Sequence, residues 1–326
     1  MRAVYAKNEA YVPAPGAPSF TAGAKRPLLD RVEWNVINDP ATATAAMLND
    51  EADWWEVPTV DVIPLLRKAG IIVQVEDPAS NLGILRFNHL QPPFDNPAIR
   101  RALLGAIDQT ECMMAAAGEE RTYWRDRCGV FSSTSAMAND AGIEVMAGKR
   151  DYPAVQRALA AAGYKGERVV AMVASDQTAT AAMSQVAIDE MRRAGMNIDI
   201  QMMDWGTVVQ RRTNRGPVDK GGWNIFLTFL EGTNNFNPAG HLGIRANGDK
   251  AWFGWPTSPR LEALRTQWFD APDLAAQQAV CRALQTQFWQ DVPYIPTGEY
   301  FRPVAHHKRV NLPTKGFPLF WNVTKV

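Results

Sequence analysis

The sequence predicts an α/β fold, and three observations predict it. First, a strand–helix–strand run occupies about residues 167–205: ERVVAMVAS, a helical pattern closed by Gly195, then NIDIQMMDW. Such a run builds parallel strands joined by a right-handed crossover. Second, several helical patterns open on Asp or Asn with Pro close behind, the pairing of a capping side chain with a residue pre-set for the first turn. Third, two extended stretches, near 81–88 and near 294–303, bracket one block rich in both element types.

In chain order, residues 1–29 are rich in Pro, Gly and Ala and read as irregular chain. Arg31–Val36 reads as a short strand. Asp39 and Pro40 open a helix to about Asn49, which feeds a segment through Trp54 and Trp55. VDVIPLLRKAG is a helix stopped by Gly70, and IIVQVED is a strand. After the extended stretch from Asn81, NPAIRRALLGAID places Ile99, Ala102, Leu103 and Ala106 on one helical face. Residues 111–150 have weak periodicity and read as a long irregular crossing. DYPAVQRALAAAGY is a helix, and Gln177–Ala194 is another. WNIFLTFL is an apolar strand, and Ser258–Phe269 and Asp273–Trp289 are helices.

The chain has 326 residues and 46% apolar content, enough for one large domain or two medium ones. Its 34 basic and 34 acidic residues cancel, which argues against a nucleic-acid or anionic-membrane partner. The apolar runs are too short for a membrane-crossing helix. MRAVYAKNEAYVPAPG lacks the basic and apolar regions of a signal peptide. Cys112, Cys128 and Cys281 form no CxxC pair; Cys281 reads as a small buried side chain, and a Cys112–Cys128 disulfide is left open. Eleven tryptophans exceed what such a core requires, so some are expected in a ligand pocket.

A chain that leaves one domain, builds another and returns is a two-lobed hinge arrangement. Here it divides into a partial first lobe at 1–82, a second α/β lobe at 83–300 and a return to the first at 301–326. Ligands of such folds sit between lobes. Several ordered segments carry a family resemblance: LDRVEWNVINDPATATAAMLNDEADWWE, LRFNHLQPPFDNPAIRRALLGAID, VQRALAAAGY and IDEMRRAGMNIDIQMMDWGTVVQRR. Together they resemble the peptide- and nickel-type solute-binding proteins of ATP-driven importers, family 5 of the extracellular solute-binding proteins. The resemblance implies a two-lobed, periplasmic-binding-protein type II-like fold, with the N-terminal part of the first lobe and a small extra domain absent. It further implies a periplasmic monomer that hands a small-molecule or peptide ligand to a membrane permease, without a cofactor and without chemistry.

The resemblance also nominates binding residues. Trp54, Trp55 and Glu56 match a turn that reaches the ligand from the first lobe, an aromatic pair with a carboxylate. Arg86 and Asn88, two apart in a strand, share a face at the cleft floor. Trp205 matches the aromatic after the parallel strand, and Arg212 matches a basic position that can hold a ligand carboxylate bidentately. The segment LTFLEGTNNFNPAGHL matches the ligand-gripping loop and contributes Phe229, Glu231, Asn234 and Asn235. Peptide binders carry an aspartate there for the ligand's amino terminus. Asn234 and Asn235 stand near that register, which suits hydroxyl- or carboxylate-bearing ligands better than an ammonium, unless Glu231 supplies the charge. The stretch GVFSSTS offers small hydroxyls as a weaker candidate.

No HExxH, GxSxG, P-loop or GxGxxG occurs. His306 and His307 are adjacent, so in a strand they point to opposite faces and chelate a metal poorly. His89 and Cys128 have no spacing that suggests a catalytic pair. The competing readings are a hydrolase or transferase acting on a similar small molecule, and a truncated remnant that binds nothing.

Overall fold

The computed structural model describes residues 1–19, 22–77, 79–312 and 319–326. The chain forms two compact units, Met1–Pro78 with Phe301–Val326, and Ala79–Tyr300.

The first unit opens with β1 (Arg2–Ala6), and the ribbon β2 (Pro18–Ser19) and β3 (Ala22–Gly23) follows it. β4 (Arg31–Asn35) pairs antiparallel with β1, Arg2 opposite Asn35 and Ala6 opposite Arg31. This corrects the expectation of irregular chain before residue 30. β1 is exposed along its whole length, so it buries no face and leaves no alternating pattern to read. Asp39 caps α1 (Pro40–Leu48), accepting from the Thr42 N–H at 2.7 Å. β5 (Trp54–Trp55), α2 (Ile63–Lys68) and β6 (Ile72–Val75) complete the outgoing pass. A core forms around Met47, Leu66, Ile71 and Ala305.

In the second unit β7 (Asn81–Phe87) is buried at every residue. α3 (Pro97–Leu104) and α4 (Gln109–Ala117) follow. α4 corrects the irregular reading of residues from 111 onward. Asp108 caps it through the Thr110 N–H at 2.8 Å, and Cys112, Met113, Ala116 and Ala117 are buried. A short, alanine-rich helix covered on more than one side has little amphipathic signature. β8 (Trp124–Arg125) and α5 (Tyr152–Ala161) lead to β9 (Arg168–Ala174), α6 (Thr178–Arg193) and β10 (Asn197–Met203). β9 and β10 pair in parallel, Val169 opposite Ile198, as the strand–helix–strand run predicts.

α7 (Trp205–Arg211), β11 (Ile225–Leu230), α8 (Pro259–Asp270), α9 (Leu274–Asp291) and β12 (Tyr294–Tyr300) complete this unit. Its six strands lie in the order β10-β9-β11-β7-β12-β8. β7 and β12 are antiparallel neighbours, Asn81 opposite Tyr300 and Arg86 opposite Tyr294. The two extended stretches read from the sequence therefore run side by side. A bulge at Pro296–Gly298 interrupts their register. Gly298 is needed there: its φ is +111°, and a Cβ would lie 2.3 Å from Met113 Cγ. The return strand β13 (Pro303–His306) pairs with β5 and β6, and β14 (Val310–Asn311) with β15 (Thr324–Lys325) closes the first unit.

The polar interior is dominated by Arg86, which is fully buried. Its Nε donates to the Phe253 carbonyl (2.7 Å), one terminal nitrogen to those of Gly243 (2.8 Å) and Pro293 (3.1 Å), and the other to that of Trp252 (3.2 Å). Burial depresses its pKa to about 9. Arg100 is used in the same way, on the carbonyls of Phe94, Asp291 and Val292. All three cysteines are buried free thiols: Cys112 donates to Glu190 Oε2 at 3.9 Å and Cys128 to the Arg125 carbonyl at 3.4 Å.

Two stability measurements follow from this interior. Arg86→Leu strands four carbonyls and is expected to cost about 3 kcal/mol or more, read as a lowered urea midpoint; a midpoint within experimental error of wild type would refute the role. The second concerns pH. Burial lowers His241 from 6.5 to about 4 and holds His89 well below 6.5. The unfolded chain takes up protons there that the fold refuses, so stability is lost as pH falls from 6.5 toward 4. Burial raises Glu190 from 4.5 to about 8. Here the fold keeps a proton that the unfolded chain releases, so stability is lost as pH rises from 4.5 through 8. Of these three groups only Glu190 still contributes above pH 6.5, with a slope of up to about 1.4 kcal/mol per pH unit. Glu190→Gln should flatten stability between pH 6.5 and 8, and a limb that survives this substitution would show another group to be responsible.

Candidate functional site

The eleven residues nominated from the sequence fall into four places. Trp54, Trp55 and Glu56 lie in the first unit. Trp54 pairs in register with His306 and Trp55 with Ala305. Trp55 packs against the Met47 core, whereas Trp54 meets Phe320 edge-on at 5.5 Å and its buried Nε1 has no hydrogen-bond partner. All three line a cavity of about 950 Å³ within this unit, together with Trp34, Met47 and Phe320. Burial raises the pKa of Glu56, and the nearby Arg302 opposes that rise.

Arg86 and Asn88 are both fully buried in the second unit, which corrects the expectation that they line an open floor. The Arg86 donors are spent on backbone carbonyls. Asn88 donates to the Trp223 carbonyl at 3.0 Å and accepts from the Leu90 N–H at 3.1 Å. Arg86 lies in β7 and Asn88 just past its end, and the carbonyls of Trp223, Gly243, Trp252, Phe253 and Pro293 enclose the two side chains.

Trp205 and Arg212 come together. Trp205 opens α7 and does not end the strand as the sequence suggested; Asp204 caps this helix by accepting from the Thr207 N–H at 3.0 Å. The Arg212 guanidinium stands 4.4 Å from the Phe253 ring centre, 5.5 Å from that of Trp205 and 5.6 Å from that of Trp252. Its buried Nε has no hydrogen-bond partner, and partial burial lowers its pKa. Its neighbours in sequence are occupied: Arg211 bonds Gln201 and the carbonyls of Gly221 and Gly222, and Arg215 pairs with Asp249. Beneath the rings lies a core of Met172, Ala174, Val208, Trp223, Phe226 and Trp255. The arrangement is an aromatic enclosure around a cation whose planar fork keeps a free donor, which suits a carboxylate or a π-face. The sequence reading missed Trp252 and Phe253. Their signal was present in AWFGW, but no periodicity placed that segment beside α7.

Phe229, Glu231, Asn234 and Asn235 cluster where β11 ends. Phe229 is half-buried with its ring 5.7 Å from that of Tyr300. Glu231 and Asn234 are exposed, and the Asn234 N–H donates to the Glu231 carbonyl at 3.0 Å. Asn235 is buried and its amide donates to the carbonyls of Leu230 and Glu231. Gly232 lets the loop close on the start of β7: a Cβ there would lie 1.9 Å from the Ser80 carbonyl oxygen. The GVFSSTS stretch lies against the same loop, the Ser132 N–H donating to the Asn235 carbonyl at 3.1 Å. The histidines are tied to structure as well. His241 Nε2 lies 2.9 Å from the Val130 carbonyl, and His307 Nε2 lies 2.9 Å from that of Met47.

Known proteins resemble this chain along nearly all of its length. A probable peptide ABC transporter periplasmic-binding protein of Sinorhizobium fredii is 34% identical over 325 residues, 98% of this chain and 61% of that protein. The glutathione-binding protein of Escherichia coli K12 is 23% identical over 300 residues, 89% of this chain and 57% of that one. This chain thus spans about three-fifths of the length of these relatives. Among solved structures, the periplasmic binding protein DppA of Helicobacter pylori, in complex with the peptide STSA, superposes with a TM-score of 0.80 at 17% identity, covering 99% of this chain and 60% of that one. The sequence model of the bacterial extracellular solute-binding proteins, family 5, matches residues 1–246. The chain belongs to that family of extracellular solute-binding proteins.

Proposed function

We propose that this chain captures a small peptide or another polar organic solute bearing a carboxylate, as the solute-binding component of an ATP-driven importer, and that it works in the periplasm without transforming what it binds. The observation that carries the reading is Arg212: a guanidinium ringed by Trp205, Trp252 and Phe253 with an unpartnered, buried Nε. A stabilising surface arginine has no need of three aromatic walls. A ligand carboxylate would satisfy the free donor in a partly dry setting, where a charge-assisted hydrogen bond is worth about 1.5–3 kcal/mol. Trp205 and Phe253 would flank the adjoining atoms of the solute.

The relatives support the solute class. One is named for peptides, one for glutathione, and the solved structure holds a four-residue peptide. Each of those ligands has a free carboxylate. Glu231 and Asn234, exposed at the end of β11, offer acceptors and an amide to the solute's polar body. A membrane permease is the expected partner, and the chain is expected to act as a monomer.

Calorimetry of the full chain against glutathione and Ser-Thr-Ser-Ala tests this reading. At least one should bind at a single saturable site, and Arg212→Ala should weaken it by about 10- to 150-fold, the equivalent of about 1.5–3 kcal/mol. Arg211→Ala, which loses only structural bonds, should leave affinity within a few-fold of wild type. Equal losses for the two variants, or recovery of a cleaved product after incubation, would count against the assignment.

A further inference from the structure

Two buried acceptors in the second unit are used by nothing described so far. Glu299, on β12, is fully buried. Its Oε1 accepts from the Ser133 N–H at 2.8 Å, and its Oε2 has no hydrogen-bond partner. Asn235 is equally buried. Its Nδ2 donates to the carbonyls of Leu230 (3.2 Å) and Glu231 (3.3 Å), which fixes the amide orientation, since a flipped amide would set oxygen against oxygen. Its Oδ1 is therefore an acceptor, and it too has no partner.

Both residues are fastened to one dipeptide. The Ser132 N–H donates to the Asn235 backbone carbonyl at 3.1 Å, and Ser133 is the residue that holds Glu299. Hydroxyls fill the surroundings: Ser132 Oγ lies 3.0 Å from Ser80 Oγ and 3.1 Å from Thr134 Oγ1. Two donors stand nearby. Arg125 donates to Ser133 Oγ at 3.0 Å, and the Cys128 thiol, which lies against Glu299, donates to the Arg125 carbonyl at 3.4 Å. A buried carboxyl group is costly unless it is paired, and buried acceptors in folded proteins nearly always have donors.

We infer that Glu299 and Asn235, with the hydroxyls around Ser132 and Ser133, form a site for a small monovalent cation, either a primary ammonium group or a bare alkali ion. Both cations share the chemistry the site offers, a compact positive charge surrounded by a carboxyl oxygen, an amide oxygen and hydroxyl lone pairs. The first case rests on the solute-capture reading, because the ammonium would be that of the solute. It moves the anionic partner from the loop after β11, where the sequence directed attention, to β12. The second case stands without that reading.

The test is thermal unfolding of the full chain at constant ionic strength in N-methyl-D-glucamine chloride, a cation too large for the site. This salt is replaced stepwise by methylammonium, sodium or potassium chloride. The expected result is a saturable rise in Tm with at least one of the small cations, and a midpoint at least 10-fold higher in Glu299→Gln. Preference for methylammonium identifies an ammonium site, and preference for sodium or potassium a resident ion. Identical Tm values in all four salts, or the same response in Glu299→Gln, overturn the inference. Should Glu299→Gln fail to fold, Asn235→Ser must raise the midpoint, and an unchanged midpoint is equally decisive. Loss of the cation effect while Arg212-dependent solute binding persists refutes this site alone; loss of solute binding with the cation effect intact refutes only the other.

Discussion

The antiparallel pairing of β7 with β12 is the constraint on which the second unit depends. The chain enters the unit on one strand and leaves on the next, with Asn81 opposite Tyr300. Both strands are buried at every residue and stand inside the sheet, flanked by β11 and β8. Every intervening element, from α3 to α9, is a closed excursion from this pair. Arg86 secures the arrangement. Its guanidinium collects the carbonyl of Pro293, just before β12, and those of Gly243, Trp252 and Phe253, which lie in no strand. A single rigid fork with five donors does this more compactly than several neutral side chains could.

Arg86 and Arg212 show how one side-chain type divides between structure and recognition. Each lies near the Trp252 ring, at 5.1 and 5.6 Å. Arg86 is fully buried with carbonyl oxygens around it, so its charge is compensated and unavailable. Arg212 is only partly buried, leans on three rings and keeps an uncommitted nitrogen. The aromatic faces stabilise its cation without consuming its donors. The segment Trp252–Phe253 serves both, its backbone carbonyls held by Arg86 and its rings set against Arg212, so fold and candidate site share one support.

Much of the fold was legible because its signals are local. Asp39, Asn96, Asp151, Ser258 and Asp273 all cap helices that begin where the sequence placed them. The parallel pair β9 and β10 followed from apolar runs separated by a helix. What escaped had no local signal. β1 buries neither face, α4 buries too many of its small residues to look amphipathic, and Trp205 sits at a strand-to-helix junction where only Asp204 marks the change. The candidate site was harder. A spacing of two drew attention to Arg86 and Asn88, but the carbonyls that enclose them come from Trp223, Gly243, Trp252, Phe253 and Pro293, far away in sequence. Trp252, Phe253 and Glu299 reach their positions through long-range packing, which no residue pattern announces.

The bulge in β12 changes which side of the sheet its last residues address. Thr297 has no partner on β7, so Gly298 faces Gly83 and Glu299 faces Leu82. Glu299 thereby joins the side that carries Arg86, Tyr294 and, across β7, Phe226. With strict alternation Gly298 would stand opposite Leu82 and the carboxyl group would point the other way. The one extra residue thus sets the buried Glu299 carboxyl group and the buried Arg86 guanidinium on the same face of the sheet. The charge pattern of this buried face is therefore set by an insertion of one threonine.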